Sequence, residues 1–173
     1  MTTPGASAHP GWAESIERLA HHIPGLGKYQ DREGLRETDK QVRTYLAGLI
    51  ADLIPILEAG ERRLDDARQM DRLPALDRVG RVLHTLADRV RYASYGFAGI
   101  FDLHKIREAE LAALHRFDLG LVQELPRLRE RVSALADAAM DETRFPQELQ
   151  ATEAALRDFE RSLADRDRLA HGL

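Results

Sequence analysis

The apolar positions of this chain recur at three- and four-residue intervals along most of its length, the spacing that lines one side of an α-helix. Trp12, Ile16, Leu19 and Ile23 form the first stripe and predict a short helix over residues 12–23 that stops before Pro24-Gly25. A longer helix is expected over residues 31–69, carrying Val42, Leu46, Leu49, Leu53 and Ile56 and continuing through Leu64 and Ala67. Pro55 should kink it, because proline removes an interior hydrogen bond and crowds the preceding turn. Leu76, Val79, Leu83, Leu86, Val90 and Ala93 predict a helix over residues 74–94, with Pro74 suited to its first turn. Leu111, Leu114, Phe117, Leu121, Leu125, Leu128, Val132 and Leu135 trace a further face over residues 107–140, with a bend expected at Pro126. After a turn around Asp141 to Phe145, Pro146 opens a last helix over residues 146–170. There Leu149, Leu156 and Leu163 stand seven apart with Phe159 between them, a narrow stripe suited to a bundle or coiled coil. No run of alternating residues argues for a sheet.

Isolated amphipathic helices gain little from propensity alone, so these faces need one another. Burying each Leu or Val side chain contributes roughly 1.5–3 kcal/mol before entropy is subtracted. The expected fold is all-α, an antiparallel bundle of four or five helices with long, kinked members. The other way to cover the stripes is an extended helical pair that completes its core as a homodimer. Residues 1–10, with Gly, Ser, Thr and two prolines and no apolar period, read as a flexible arm, and residues 11–173 as one helical domain.

Composition narrows the chemistry more than the architecture. The 173 residues include no Cys, which removes disulfides, thiolate metal sites and a cysteine nucleophile. The net charge of −4 is spread over 25 basic and 29 acidic residues with interleaved signs, so no strong field draws nucleic acid or anionic lipid. The strongly apolar stretches, Leu46 to Leu57 and Tyr92 to Phe101, are too short to span a bilayer, and the N-terminus has no basic segment followed by an apolar run. A cytoplasmic location is expected. Lys28, Lys40 and Lys105 are the only lysines and Asn is absent, a bias suggesting a GC-rich bacterial genome.

The least generic stretch runs from Arg91 to Asp102, where Tyr92, Tyr95, Phe97 and Phe101 supply four of ten aromatic residues. One reading makes them core and connection, with Gly96 and Gly99 allowing a turn or a close helix contact. The sharper reading leaves some exposed beside Arg89 and Arg91 to receive a protein partner, since Tyr and Arg combine large contact area with directed hydrogen bonds. On that reading the partner-binding residues are Arg89, Arg91, Tyr92, Tyr95, Phe97 and Phe101.

Arg91 through Gly96, Gly99 and Phe101-Asp102 stand within this stretch, and Ile23-Pro24-Gly25, Tyr29, Arg32-Glu33, Arg36, Asp39-Lys40, Arg43, Ala87-Asp88-Arg89 and Phe117-Asp118-Leu119 flank it. With these motifs, residues 23–140 resemble an uncharacterised family of bacterial helical proteins. The resemblance implies a core module over those residues and carries no activity onto any of them.

Enzyme chemistry finds little purchase. A ferritin-like di-iron site needs paired Glu-x-x-His motifs, and no Glu stands three residues before any of the seven histidines. Asp102, His104, Glu108 and His115, with Asp118 nearby, make a loose acid and histidine cluster that is the alternative, metal-binding or enzymatic reading. His84 and Asp88, one turn apart, read as a surface pair, and His21-His22 as helix-end residues. Ser94 lacks a nucleophile elbow, and Gly25-Leu26-Gly27-Lys28 lacks the spacing and preceding strand of a phosphate loop. Arg72, Arg78, Arg81, Arg89 and Arg91 exceed Asp77 and Asp88 along the helix over residues 74–94, which makes a nucleic-acid accessory factor the third reading. The first is a non-enzymatic adaptor, scaffold or assembly component without a cofactor.

Overall fold

The computed structural model describes residues 17–23, 26, 32–92 and 108–170. Among these residues the elements are all helical. Residues 17–22 form α1, and α2 (Arg32–Ala51), α3 (Ile54–Asp66), α4 (Leu73–Tyr92), α5 (Glu108–Asp137) and α6 (Phe145–Ala170) follow, with a 3-10 turn at Met70–Arg72 leading into α4. No helix among the described residues is long and apolar enough to cross a membrane.

The helix expected over residues 31–69 divides at Asp52 and Leu53, because Pro55 has no N–H with which to continue the ladder and sits instead in the first turn of α3. The Leu53 amide turns back to the Ile50 carbonyl at 3.0 Å, and Leu57 then bonds to Leu53 at 3.3 Å. The apolar stripe survives the break. Val42, Leu46, Ile50, Leu53, Leu57 and Leu64 are all buried, with Leu57 rather than Ile56 taking the core position after the proline. At its end α3 closes in a Schellman turn: Arg68 has φ 56°, its amide bonds to the Asp65 carbonyl at 2.9 Å, and that of Gln69 bonds to the Leu64 carbonyl at 2.8 Å.

The helices pack as two hairpins. In the first, α4 runs back along α2 and α3, so that Gly80 faces Leu57 and, further on, the Arg91 carbonyl meets Arg43. In the second, α6 runs back along α5: Thr152 bonds to Arg131, Ser162 to Glu124 and Arg166 to Asp118, in that order along the pair. The hairpins join where Gly60 of α3 crosses Ala136 of α5, so closely that a Cβ on Gly60 would lie 3.1 Å from the Ala136 Cα. Arg89 of α4 reaches Asp167 of α6 on the other side. The result is an up-down-up-down bundle in which α2–α3 and α5 point one way and α4 and α6 the other. Leu19, Ile23 and Leu26 join the same core from the N-terminal side.

Helix ends are tied by named groups. Arg63 and Arg72 donate to the carbonyls of Ala136 and Ala139 at the C-terminal end of α5, where a positive charge also complements the helix dipole. Arg72 lies 5.7 Å from the centre of the Phe145 ring. Asp141 accepts from the amides of Thr143 and Arg144, each at 2.9 Å, just ahead of α6. The Arg144 amide above all holds the Asp141 carboxyl below its usual range; desolvation opposes it, and the Thr143 amide and the Arg144 and Arg72 charges add to the lowering.

One sequence expectation needs correcting. The spacing puts Phe117 in the core stripe of α5, but the ring is 38% exposed. The buried sequence is Leu114, Asp118, Leu121, Leu125, Leu128, Val132 and Leu135, alternating by four and three, so an acid occupies the inward position beside it. On α6 the stripe of Phe145, Leu156, Phe159 and Leu163 likewise includes Thr152 and Arg166.

Candidate functional site

Among the described residues the buried charged side chains, Arg43, Asp118 and Arg166, gather at the end of the bundle where α4 and α6 finish and the first half of α5 lies. The two inward-facing exceptions meet there. Arg166 Nε donates to Asp118 Oδ1 at 2.6 Å, with the two side chains 3% and 1% exposed. Two charges removed from water this completely are stabilised only by close pairing and further hydrogen bonds, so the pair fixes how α5 and α6 slide against each other. The next residue on α6, Asp167, accepts from Arg89 Nη2 at 2.9 Å and ties α4 to the same hairpin.

Arg43 supplies the third link. Although charged, it is buried on α2, and its Nη1 donates to the Arg91 carbonyl at 3.3 Å in the last turn of α4. The guanidinium thus reaches a backbone carbonyl near the C-terminal end of α4, where a positive charge complements the helix dipole. This braced terminus carries Tyr92, 71% exposed, with the exposed side chains of Arg89 and Arg91 beside it. By contrast the Phe145 and Phe159 rings are buried.

Of the residues predicted to bind a partner, Arg89, Arg91 and Tyr92 are therefore brought together, while Tyr95, Phe97 and Phe101 lie outside the described residues. So do Asp102 and His104 of the alternative metal cluster. Glu108 opens α5 and His115 lies within it, with side chains outside the described set. Among the described residues no three His, Asp or Glu side chains are gathered to hold a metal ion. His21, His22 and His84 occupy exposed helical positions.

The basic excess along α4 is largely committed internally. Arg72 holds the end of α5, Arg81 pairs with Asp77, and Arg89 pairs with Asp167. That leaves Arg78 and Arg91 as its outward charges, and Arg78 borders a groove of about 230 Å³ between α4 and α6. Val79, Val82 and Leu156 line its floor, with Glu153, Arg157 and Glu160 around the rim.

A second open cleft, of about 270 Å³, lies along α5 against Ser162 of α6 and is lined by Ala113, Arg116, Phe117, Gly120, Leu121 and Glu124. Ser162 donates to Glu124 at 3.2 Å. Partial burial pushes the Glu124 carboxyl up, reinforced by Asp158 and opposed by the Ser162 bond and Arg127. Gly120 leaves the cleft open, since a Cβ there would meet nothing within 4 Å.

The sequence singles out Asp118 only beside the acid and histidine cluster and, like Arg43, among the motifs, and it predicts neither the burial of Arg43 nor the buried pair of Asp118 with Arg166. A strict four-three count from Leu114 through residue 118 to Leu121, and from Leu163 to residue 166, would have flagged the pair. Arg43 had no such signal, because it flanks the stripe rather than lying on it. No protein-family model, curated protein or solved structure matches this chain.

Proposed function

We propose that the protein is a non-enzymatic interaction module, an adaptor or assembly component that receives a protein partner at the end of α4. The observation that carries this reading is Tyr92, 71% exposed on a helix terminus braced from behind by Arg43. A ring held on fixed backbone loses little entropy on contact, and Tyr and Arg side by side supply area and directed donors. Arg91 projects outward beside it while its carbonyl is occupied, so the side chain can serve a partner without loosening the helix. The engagement of Arg72, Arg81 and Arg89 within the chain favours this reading over a phosphate-binding face.

The test is capture of partners from extract with Tyr92→Ala and Arg91→Ala, compared with Arg161→Ala on the exposed face of α6. Hot-spot truncations cost at least about 2 kcal/mol, roughly a thirtyfold loss of affinity, whereas the rim charge should change little. The expected result is loss of the same captured proteins with the first two variants, each retaining its helical spectrum and unfolding transition. Capture that is unchanged by both would reject the surface.

A further inference from the structure

We infer that the cleft face of α5 pairs with the same face of a second copy, the two helices antiparallel and crossing at Gly120. Independently of the partner-binding end of α4, this face of α5 carries a symmetry of charge, with Arg116 exposed at one end and Glu124 half-exposed at the other, one carboxylate oxygen accepting from Ser162 and the second left for a partner. Arg116 lies four residues before Gly120 and Glu124 four residues after it. In a two-fold contact, residue i of one copy meets j of the other and j meets i. Crossing two α5 helices at Gly120 therefore sets Arg116 opposite the partner's Glu124 at one end, and Glu124 opposite the partner's Arg116 at the other. Both ion pairs follow from one operation.

The remaining positions agree. Phe117, 38% exposed and the large apolar side chain of this face, falls opposite the partner's Gln123 and beside the notch at Gly120. Ala113 falls opposite the partner's Arg127, whose aliphatic stem can cover it. Packed helices normally keep their axes about 8–10 Å apart, and a residue without a side chain at the crossing point permits the near end of that range. Among the described residues nothing requires Gly120 to be small, because a Cβ there would meet nothing within 4 Å. At Gly60 the chain's own backbone explains the glycine; at Gly120, as at Gly48, the space beside it is open, and what distinguishes Gly120 is its place midway between Arg116 and Glu124. Parallel pairing would place Arg116 against the partner's Arg116, so the charges also select the antiparallel arrangement.

Sedimentation velocity of the full chain at low salt, over a range of protein concentration, tests this directly. The wild type should move from monomer to dimer as concentration rises. Arg116→Glu and Glu124→Arg, each placing like charges opposite one another, should weaken dimerisation by about tenfold or more, equivalent to about 1.4 kcal/mol. The double swap Arg116→Glu with Glu124→Arg should restore it to near the wild-type constant, which no loss of fold or general change of charge would do. Gly120→Lys, which blocks the crossing and opposes two ammonium groups, should be monomeric with its helical spectrum intact. A wild type that stays monomeric at every concentration overturns the inference, as would single swaps that dimerise normally or a double swap no better than the singles.

Discussion

Asp118 and Arg166 show how much one residue's facing decides. The inward position on α5 between Leu114 and Leu121 falls on an acid, and the matching position on α6 on a base, so each is buried only because the other is. Removing one partner leaves a charge without its counter-ion in the interior. Asp118→Asn or Arg166→Met should therefore destabilise by about 3–5 kcal/mol, whereas Asp118→Leu combined with Arg166→Met should recover most or all of that loss. Chemical denaturation of the three variants measures it, and single variants as stable as the wild type would mean the pair is not structural. The stripe from Leu114 to Leu135 was legible at every apolar position except Phe117, for a physical reason. Hydrophobicity alone favours placing the ring inward, but the four-three register leaves it one position, about 100° of rotation, off the core.

At the scale of elements, the helices were readable because Leu and Val at three- and four-residue spacing leave no competing period. Their ends were less so. The break after Ala51 came from Pro55, which the sequence shows, but the closure of α3 uses Arg68 at φ 56°, where glycine would signal the turn. Nor could the spacing say which glycine meets another helix. Gly60 touches Ala136, while Gly48 has nothing within 4 Å of a prospective Cβ. The two should respond oppositely to substitution. Gly48→Ala should stabilise by about 0.5–1 kcal/mol through lower chain entropy. Gly60→Val should destabilise by about 1–3 kcal/mol, because a branched side chain must push α3 away from α5. Thermal unfolding of both decides it. A neutral Gly60→Val would show that the crossing is looser than the contact with Ala136 implies.

The whole molecule joins two hairpins, and this pairing was the least legible level, since similar stripes on every helix admit several arrangements. Polar contacts between helices identify the neighbours: Arg63 with Ala136, Arg89 with Asp167 and Arg166 with Asp118. The same helix seams also set a pH dependence. Glu61 on α3 is raised above its ordinary 4.5 first by burial, then by Asp77 of α4 and Glu58, with Arg62 opposing. Glu124 is raised from the same value, again first by burial. For a carboxyl whose folded value is raised, the favourable contribution is fully present below the unfolded value, where both states are protonated, and is lost as pH rises through the folded value. At neutral pH each charge therefore opposes folding. Glu124→Gln keeps an acceptor for Ser162 while removing that charge, and Glu61→Gln removes a charge that burial and the repulsion of Asp77 and Glu58 disfavour. Each variant should be more stable than the wild type at neutral pH, and the difference should shrink as pH falls towards and below 4.5. Denaturant unfolding across that range, at a protein concentration where the chain is monomeric, is the measurement. A difference that stays constant, or grows in acid, would show that these carboxyls gain more from their partners in the folded chain than burial takes from them.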